Sequence, residues 1–206
     1  MNSYEHNLSA LKRLIDKYII ADLTTMIDKV PVLESGACCY PAVQTLISLM
    51  ELLGKICRHD LEYDGAFEYI LHRMGTAYQL PGLANKLYSL FRHGIAHNSL
   101  AKGGVFVNKT GDSAFHLSDN GNNLDIKIMF EDFKKTYDGL FSSYLIDQAT
   151  QSYHENNLRK VLKELKFPWL PFATPDFFEL NTLTTTSGVL TSGVSGVRGP
   201  RGTYTP

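Results

Sequence analysis

The stretch that most constrains the fold runs from Pro41 to Cys57. Val43, Leu46, Ile47, Leu49, Met50, Leu52, Leu53, Ile56 and Cys57 leave almost no polar side on a helix of that length. Such a helix must be enclosed, either at the centre of a bundle or between its own bundle and a second subunit. Pro41 suits a first-turn position. Arg58-His59-Asp60 closes the segment with charge near the carbonyl end.

Other helical periods supply the enclosure. A first helix is predicted over 7–29, with Leu8, Leu11, Leu14, Ile15, Tyr18, Ile19, Met26 and Ile27 in step, ended by Pro31. A third covers 64–75 on Phe67, Ile70, Leu71 and Met74. Pro81-Gly82 then punctuates the chain. A fourth helix carries Leu83, Leu87, Leu90, Phe91 and Ile95, and a long one runs over 131–151 on Phe133, Tyr137, Leu140, Phe141, Tyr144 and Leu145. An amphipathic piece over 158–167 extends or follows it.

Between the fourth helix and the long one the period changes to two. Val105–Val107, Ala114–Leu117 and Leu124–Ile128 are predicted as three strands of a small antiparallel β-meander, an insert at about 104–129. Leu124, Ile126 and Ile128 would face the core and Asp125 and Lys127 the solvent. Three strands this short must rest on the helices. The fold class expected is therefore mainly α: a bundle of four or five helices with this insert, over residues 1–166. Residues 167–206 comprise an aromatic and Pro-containing segment, expected to pack back on the domain or else to dock a partner, and from Asn181 onward a Thr/Ser/Gly-rich tail read as flexible.

Composition excludes several classes. A net charge of -1 argues against a general coat for nucleic acid, so any RNA contact should be focal. No apolar run approaches a membrane span, and the N-terminus lacks the pattern of a signal peptide. Three cysteines, with no Cys-x-x-Cys, fit core thiols of a cytoplasmic protein and no zinc site.

The fourth helix holds the chemistry. Arg92, His93 and His97 stand together on it. His93 and His97 share a face at a spacing of four, and Arg92 lies about 140° from His97 on an ideal helix. Its side chain is long enough to reach the same cleft, more easily if the helix loosens near Gly94. The spacing alone is weak, and its surroundings strengthen it. The 43 residues between Glu68 and Asp112 contain no acid, where the chain average would place about four. They do contain Arg73, Lys86, Arg92, Lys102 and Lys109. Imidazoles that titrate near neutrality beside a fixed guanidinium suit the cutting or holding of a phosphodiester. Lys86 and Lys102 flank the motif and could steer phosphate. Asn98 could place a ribose or cap the helix, and Ser99 is expected to cap it. The competing structural account makes Arg92 an ion-paired residue and His97 an interior one. His116, in a predicted strand, is a packing or surface residue, and His59 and His72 lack ligand spacing.

The run Phe91-Arg92-His93-Gly94-Ile95-Ala96-His97-Asn98, together with the early helix from Pro41 to Gly54, resembles the HEPN (higher eukaryotes and prokaryotes nucleotide-binding) superfamily over about residues 7–150. The hallmark of that family is Arg, four to six residues, then His, with a polar residue after the Arg. The resemblance implies a metal-independent endoribonuclease of toxin or phage-defence type, acting as a homodimer with a composite site and without a cofactor. His97 would be the acid/base toward the ribose 2′-hydroxyl, Arg92 would stabilise charge on the phosphorus oxygens, and His93 would orient a partner or touch phosphate. Lys86, Asn98 and Lys102 would contact RNA. The alternative within the family is a non-catalytic nucleotide- or RNA-binding dimerisation module. In one toxin subgroup a Tyr two residues after the His is modified by a partner. Here that position is Ser99, so any antitoxin or regulatory protein would act by another route.

Overall fold

The computed structural model describes residues 3–32, 37–93 and 106–164. The expected segment and tail at 167–206 lie outside these residues. The described chain is mainly helical and belongs to one compact unit.

Helix α2 (Cys39–Cys57) is the axis of that unit. Leu46, Met50, Leu53 and Ile56 on it are fully buried, as the nearly all-round apolar pattern demands. Pro41 sits in its first turn, where its missing N–H costs no bond. Helix α3 (Tyr63–Leu71) packs directly on it. A Cβ added to Gly54 would lie 2.1 Å from the carbonyl oxygen of Ala66, so only glycine lets the two backbones approach this closely. Lys55 closes the end of α2 by donating from Nζ to the carbonyls of His59 and Leu61 at 2.8 and 2.6 Å.

Helix α1 occupies residues 3–29. It is regular over Ser3–Leu14, winds as π-helix over Ile15–Ile20 and Thr25–Lys29, and returns to α over Ala21–Thr24. Thr24 and Thr25 donate their hydroxyls to the carbonyls of Ile20 and Ala21, the back-bonding that bends helices. After α3 a 3₁₀ turn (Thr76–Tyr78) leads into α4 over residues 83–93, α-helical through Leu83–Leu87 and π-helical through Tyr88–His93. Helix α5 covers residues 126–144 and α6 spans Gln151–Glu164. Tyr137 of α5 donates to Asp16 of α1 at 2.8 Å, and Asn157 of α6 donates to the carbonyl of Cys57 at 3.4 Å.

The insert departs from the predicted meander. Strand β1 (Phe106–Asn108) pairs with β2 (Asn123–Asp125) in parallel, with Val107 opposite Leu124. Residues 114–117 form turns rather than a strand. The chain leaves β1, crosses over and re-enters beside it in the same direction. A run of positive φ at Leu117, Asp119, Asn120 and Gly121 reverses it within a few residues. Gly121 there lies against Leu83 of α4, where an added Cβ would approach to 2.7 Å.

The alternation at 124–128 also resolves differently. The strand ends at Asp125 and α5 begins at Ile126, five residues earlier than the period indicated. Asp125 is completely buried and does not face solvent. It is the N-cap of α5. Oδ1 accepts from the N–H groups of Lys127 and Ile128, and Oδ2 accepts from Gly111 N–H and the Thr110 hydroxyl. Four donors make burial of this carboxylate affordable and tie the insert to α5. The long helix ends at Tyr144, and α6 is a separate element, not an extension. The third helix likewise stops at Leu71 and not at Gly75.

Candidate functional site

Arg92 lies on the π-wound end of α4. Its Nε donates at 3.0 Å to Oε1 of Glu51, which comes from the middle of α2. Glu51 is only 6% exposed, while Arg92 is 34% exposed. The pair thus joins a carboxylate set in the core to a guanidinium at the edge of solvent. Tyr88, one helical turn before Arg92, also hydrogen-bonds Glu51 through its hydroxyl. Burial first, and that bond second, push its phenol well above the usual range.

Both members of the ion pair line an open groove of about 750 Å³ along α2. Ile19 of α1, Tyr63 of α3 and Val161 of α6 contribute to its walls, and Pro41, Gln44, Thr45, Ser48, Leu52 and Lys55 of α2 form its floor. A carboxylate buried beside an open groove needs a cation, and α4 delivers one.

The other expected site residues fall in different places. Lys86 donates from Nζ to the carbonyl oxygen of Asn120 and lines a second cavity, of about 410 Å³, between α4 and the insert. It does not share the groove of Arg92. The backbone of His93 ends the π-helical turn. His97, Asn98, Ser99 and Lys102 lie outside the described residues.

The described cations of the acid-free interval are engaged by groups elsewhere in the fold. Arg73 donates at 2.5 Å to the Tyr69 hydroxyl and stacks over the Tyr69 ring. Lys109 is buried, and its Nζ caps the carbonyl end of α1 at Met26 and Val30, each at 2.6 Å. Arg92 finds its acid from α2.

His116 is a packing residue of a hydrogen-bonded chain. Its Nδ1 lies 3.3 Å from the Asp125 N–H, which donates to it. Its Nε2 is 2.9 Å from the Tyr78 hydroxyl, which donates onward to Asp132 at 3.1 Å. With Nδ1 accepting, the ring is neutral and protonated at Nε2. Burial holds its pKa below the ordinary value, against the pull of Asp125 and Asp132. His59 pairs with Glu164 at 2.9 Å and His72 approaches Glu68 at 3.6 Å. Among the described residues no group of three His, Cys, Asp or Glu side chains is placed to hold a metal ion. No helix of the described residues is long and apolar enough to cross a membrane.

Glu51 is the site residue that sequence reasoning passed over. A signal existed: it is the one acid in that largely apolar helix, between Met50 and Leu52. An ionisable residue at such a position must either meet a partner or lose its charge. No family model, no curated protein and no solved structure matches this chain.

Proposed function

We propose that the protein is a HEPN-like, metal-independent endoribonuclease in which Arg92 and His97 form the reacting pair. The observation that supports this most is the placement of Arg92, a guanidinium fixed by a core carboxylate at the edge of an open groove. A cation held in one orientation before substrate arrives spends little energy on reorganisation when charge develops on phosphorus.

The reaction this would serve is internal transesterification. The ribose 2′-oxygen attacks phosphorus and forms the 2′-O–P bond while the P–O5′ bond breaks. His97 accepts the 2′-hydroxyl proton. Arg92 stabilises charge on the non-bridging oxygens. The departing 5′-oxygen takes a proton from the second motif of a composite homodimer site. The products are a 2′,3′-cyclic phosphate and a 5′-hydroxyl. A toxin or phage-defence role, held in check by an antitoxin or other regulatory protein, accords with uncontrolled RNA cleavage being harmful to the cell.

The second reading, a non-catalytic nucleotide- or RNA-binding dimerisation module, draws on the same ion pair. Glu51 already neutralises the guanidinium and leaves less charge for a transition state. One experiment separates the two. Total RNA is incubated with the protein in excess chelator, beside His97→Ala and Arg92→Ala. Cleavage in chelator with a bell-shaped pH profile, lost about 10²-fold or more in His97→Ala, is the expected result. Metal dependence, or undiminished cleavage by that variant, overturns the endoribonuclease. Tight RNA binding without turnover at any pH establishes the module.

A further inference from the structure

We propose that the groove on α2 is a base-reading subsite, in which Gln44 selects the nucleobase attached beside the phosphate at Arg92. The inference rests on the nuclease reading for its ligand class and goes beyond it in naming what confers sequence preference.

The geometry comes from the register of α2. At 100° per residue, Pro41, Gln44, Thr45, Ser48, Glu51, Leu52 and Lys55 all fall within about 60° of Ser48, so they share one face. Gln44 and Glu51 are seven apart and lie on the same edge of that face. Two turns separate them, about 10.5 Å along the axis. Arg92 is anchored on that edge by Glu51. The span matches the reach from a backbone phosphate across its ribose to the far edge of the attached base.

The two ends of the groove differ in charge. Toward the C-terminus of α2, Lys55 is engaged by the carbonyls of His59 and Leu61, and Glu164 brings a carboxylate that repels phosphate. Toward the N-terminus, Ser48, Thr45 and Gln44 are uncharged. A base, neutral and polar at its rim and apolar on its faces, is compatible with that half. The Gln amide offers a donor and an acceptor side by side, the pattern that pairs with adenine N7 and N6. Its helix is regular and buried behind, so the amide is presented from a rigid support.

The test is calorimetric titration of the full chain with the 5′-monophosphates of adenosine, guanosine, cytidine and uridine. Wild type should prefer adenosine by about fivefold or more, the least that one bidentate base contact confers. Gln44→Leu should flatten the four affinities, and Gln44→Glu should shift the preference away from adenosine. Arg92→Ala should weaken all four alike and preserve their ratio. The subsite is overturned by equal affinities in wild type, by an unchanged ratio in Gln44→Leu, or by no nucleotide binding at all. It is also overturned if the groove is filled by a second copy, seen as a dimer that Ser48→Trp dissociates while nucleotides fail to bind. None of these readouts requires turnover. Base-selective binding without RNA cleavage would reject the nuclease and retain the subsite.

Discussion

Removing Arg92 should cost more stability than neutralising Glu51, although the two share one ion pair. The asymmetry follows from burial. Glu51 is 6% exposed and sits on the central helix, so without Arg92 its carboxylate stays in the core with its charge uncompensated. Breaking a fully buried pair in this way costs about 3–5 kcal/mol. A surface pair contributes about 0.2–1 kcal/mol. Arg92 is one-third exposed, and Tyr88 still donates to Glu51, so Arg92→Ala should lie between these limits, at about 2–3 kcal/mol. Glu51→Gln keeps an acceptor for both donors, and Arg92 can turn toward the groove. Its cost should be about 1 kcal/mol. The double variant should be milder than the sum by about 1–2 kcal/mol, because the charge left stranded in Arg92→Ala is then gone. Urea denaturation followed by far-ultraviolet circular dichroism reads all four proteins. With a slope near about 2.5 kcal/mol per molar, Arg92→Ala should lower the midpoint by about 1 M. A cost for Arg92→Ala no larger than for Glu51→Gln, or strict additivity in the double variant, would refute the account of Glu51 as a core carboxylate dependent on Arg92.

Three other perturbations test the frame around the site. Gly54→Ala gains about 1 kcal/mol of helix propensity, but its Cβ would meet the Ala66 carbonyl at 2.1 Å. Overpacking against backbone, at about 3 kcal/mol, should win, and the melting temperature should fall by about 4–8 °C; an unchanged or higher value contradicts the close α2–α3 contact. Asp125→Ala removes the acceptor of four donors and the cap of α5, and should cost about 2–3 kcal/mol, with hydrogen exchange accelerating at Gly111, Lys127 and Ile128 before the rest of the chain. Burial holds both His116 and His154 neutral below their ordinary pKa near 6.5. The unfolded chain therefore binds protons first on acidification. Stability should be fully present above about pH 6.5 and decline as pH falls through the depressed folded values. Chemical denaturation between pH 8 and 5 reads this, and a slope left unaltered in His154→Phe would remove that residue from the explanation.

Sequence alone determined the helices, because burial on one side of a helix writes a 3.6-residue period that needs no partner to be read. The enclosed position of α2 was legible in Val43, Leu46, Ile47, Met50 and Leu53, and α1, α3 and α4 in their stripes. Candidate chemistry was legible too, as residue types: Arg92 with two histidines on one stretch. Tertiary structure decided what Arg92 faces. Glu51 is 41 positions from Arg92, and nothing local joins them; packing of α4 on α2 does. The same holds for the insert. A period of two records which side is buried and not which neighbour is paired, so a parallel crossover and an antiparallel meander leave the same trace at Val107 and Leu124. Asp125 broke the pattern because four donors, two of them from residues 110 and 111, let a carboxylate occupy a core position. Hydrophobic burial is a sum over single residues and survives in one dimension. Satisfaction of a buried charge is a property of pairs, and the pairs exist only once the chain has folded.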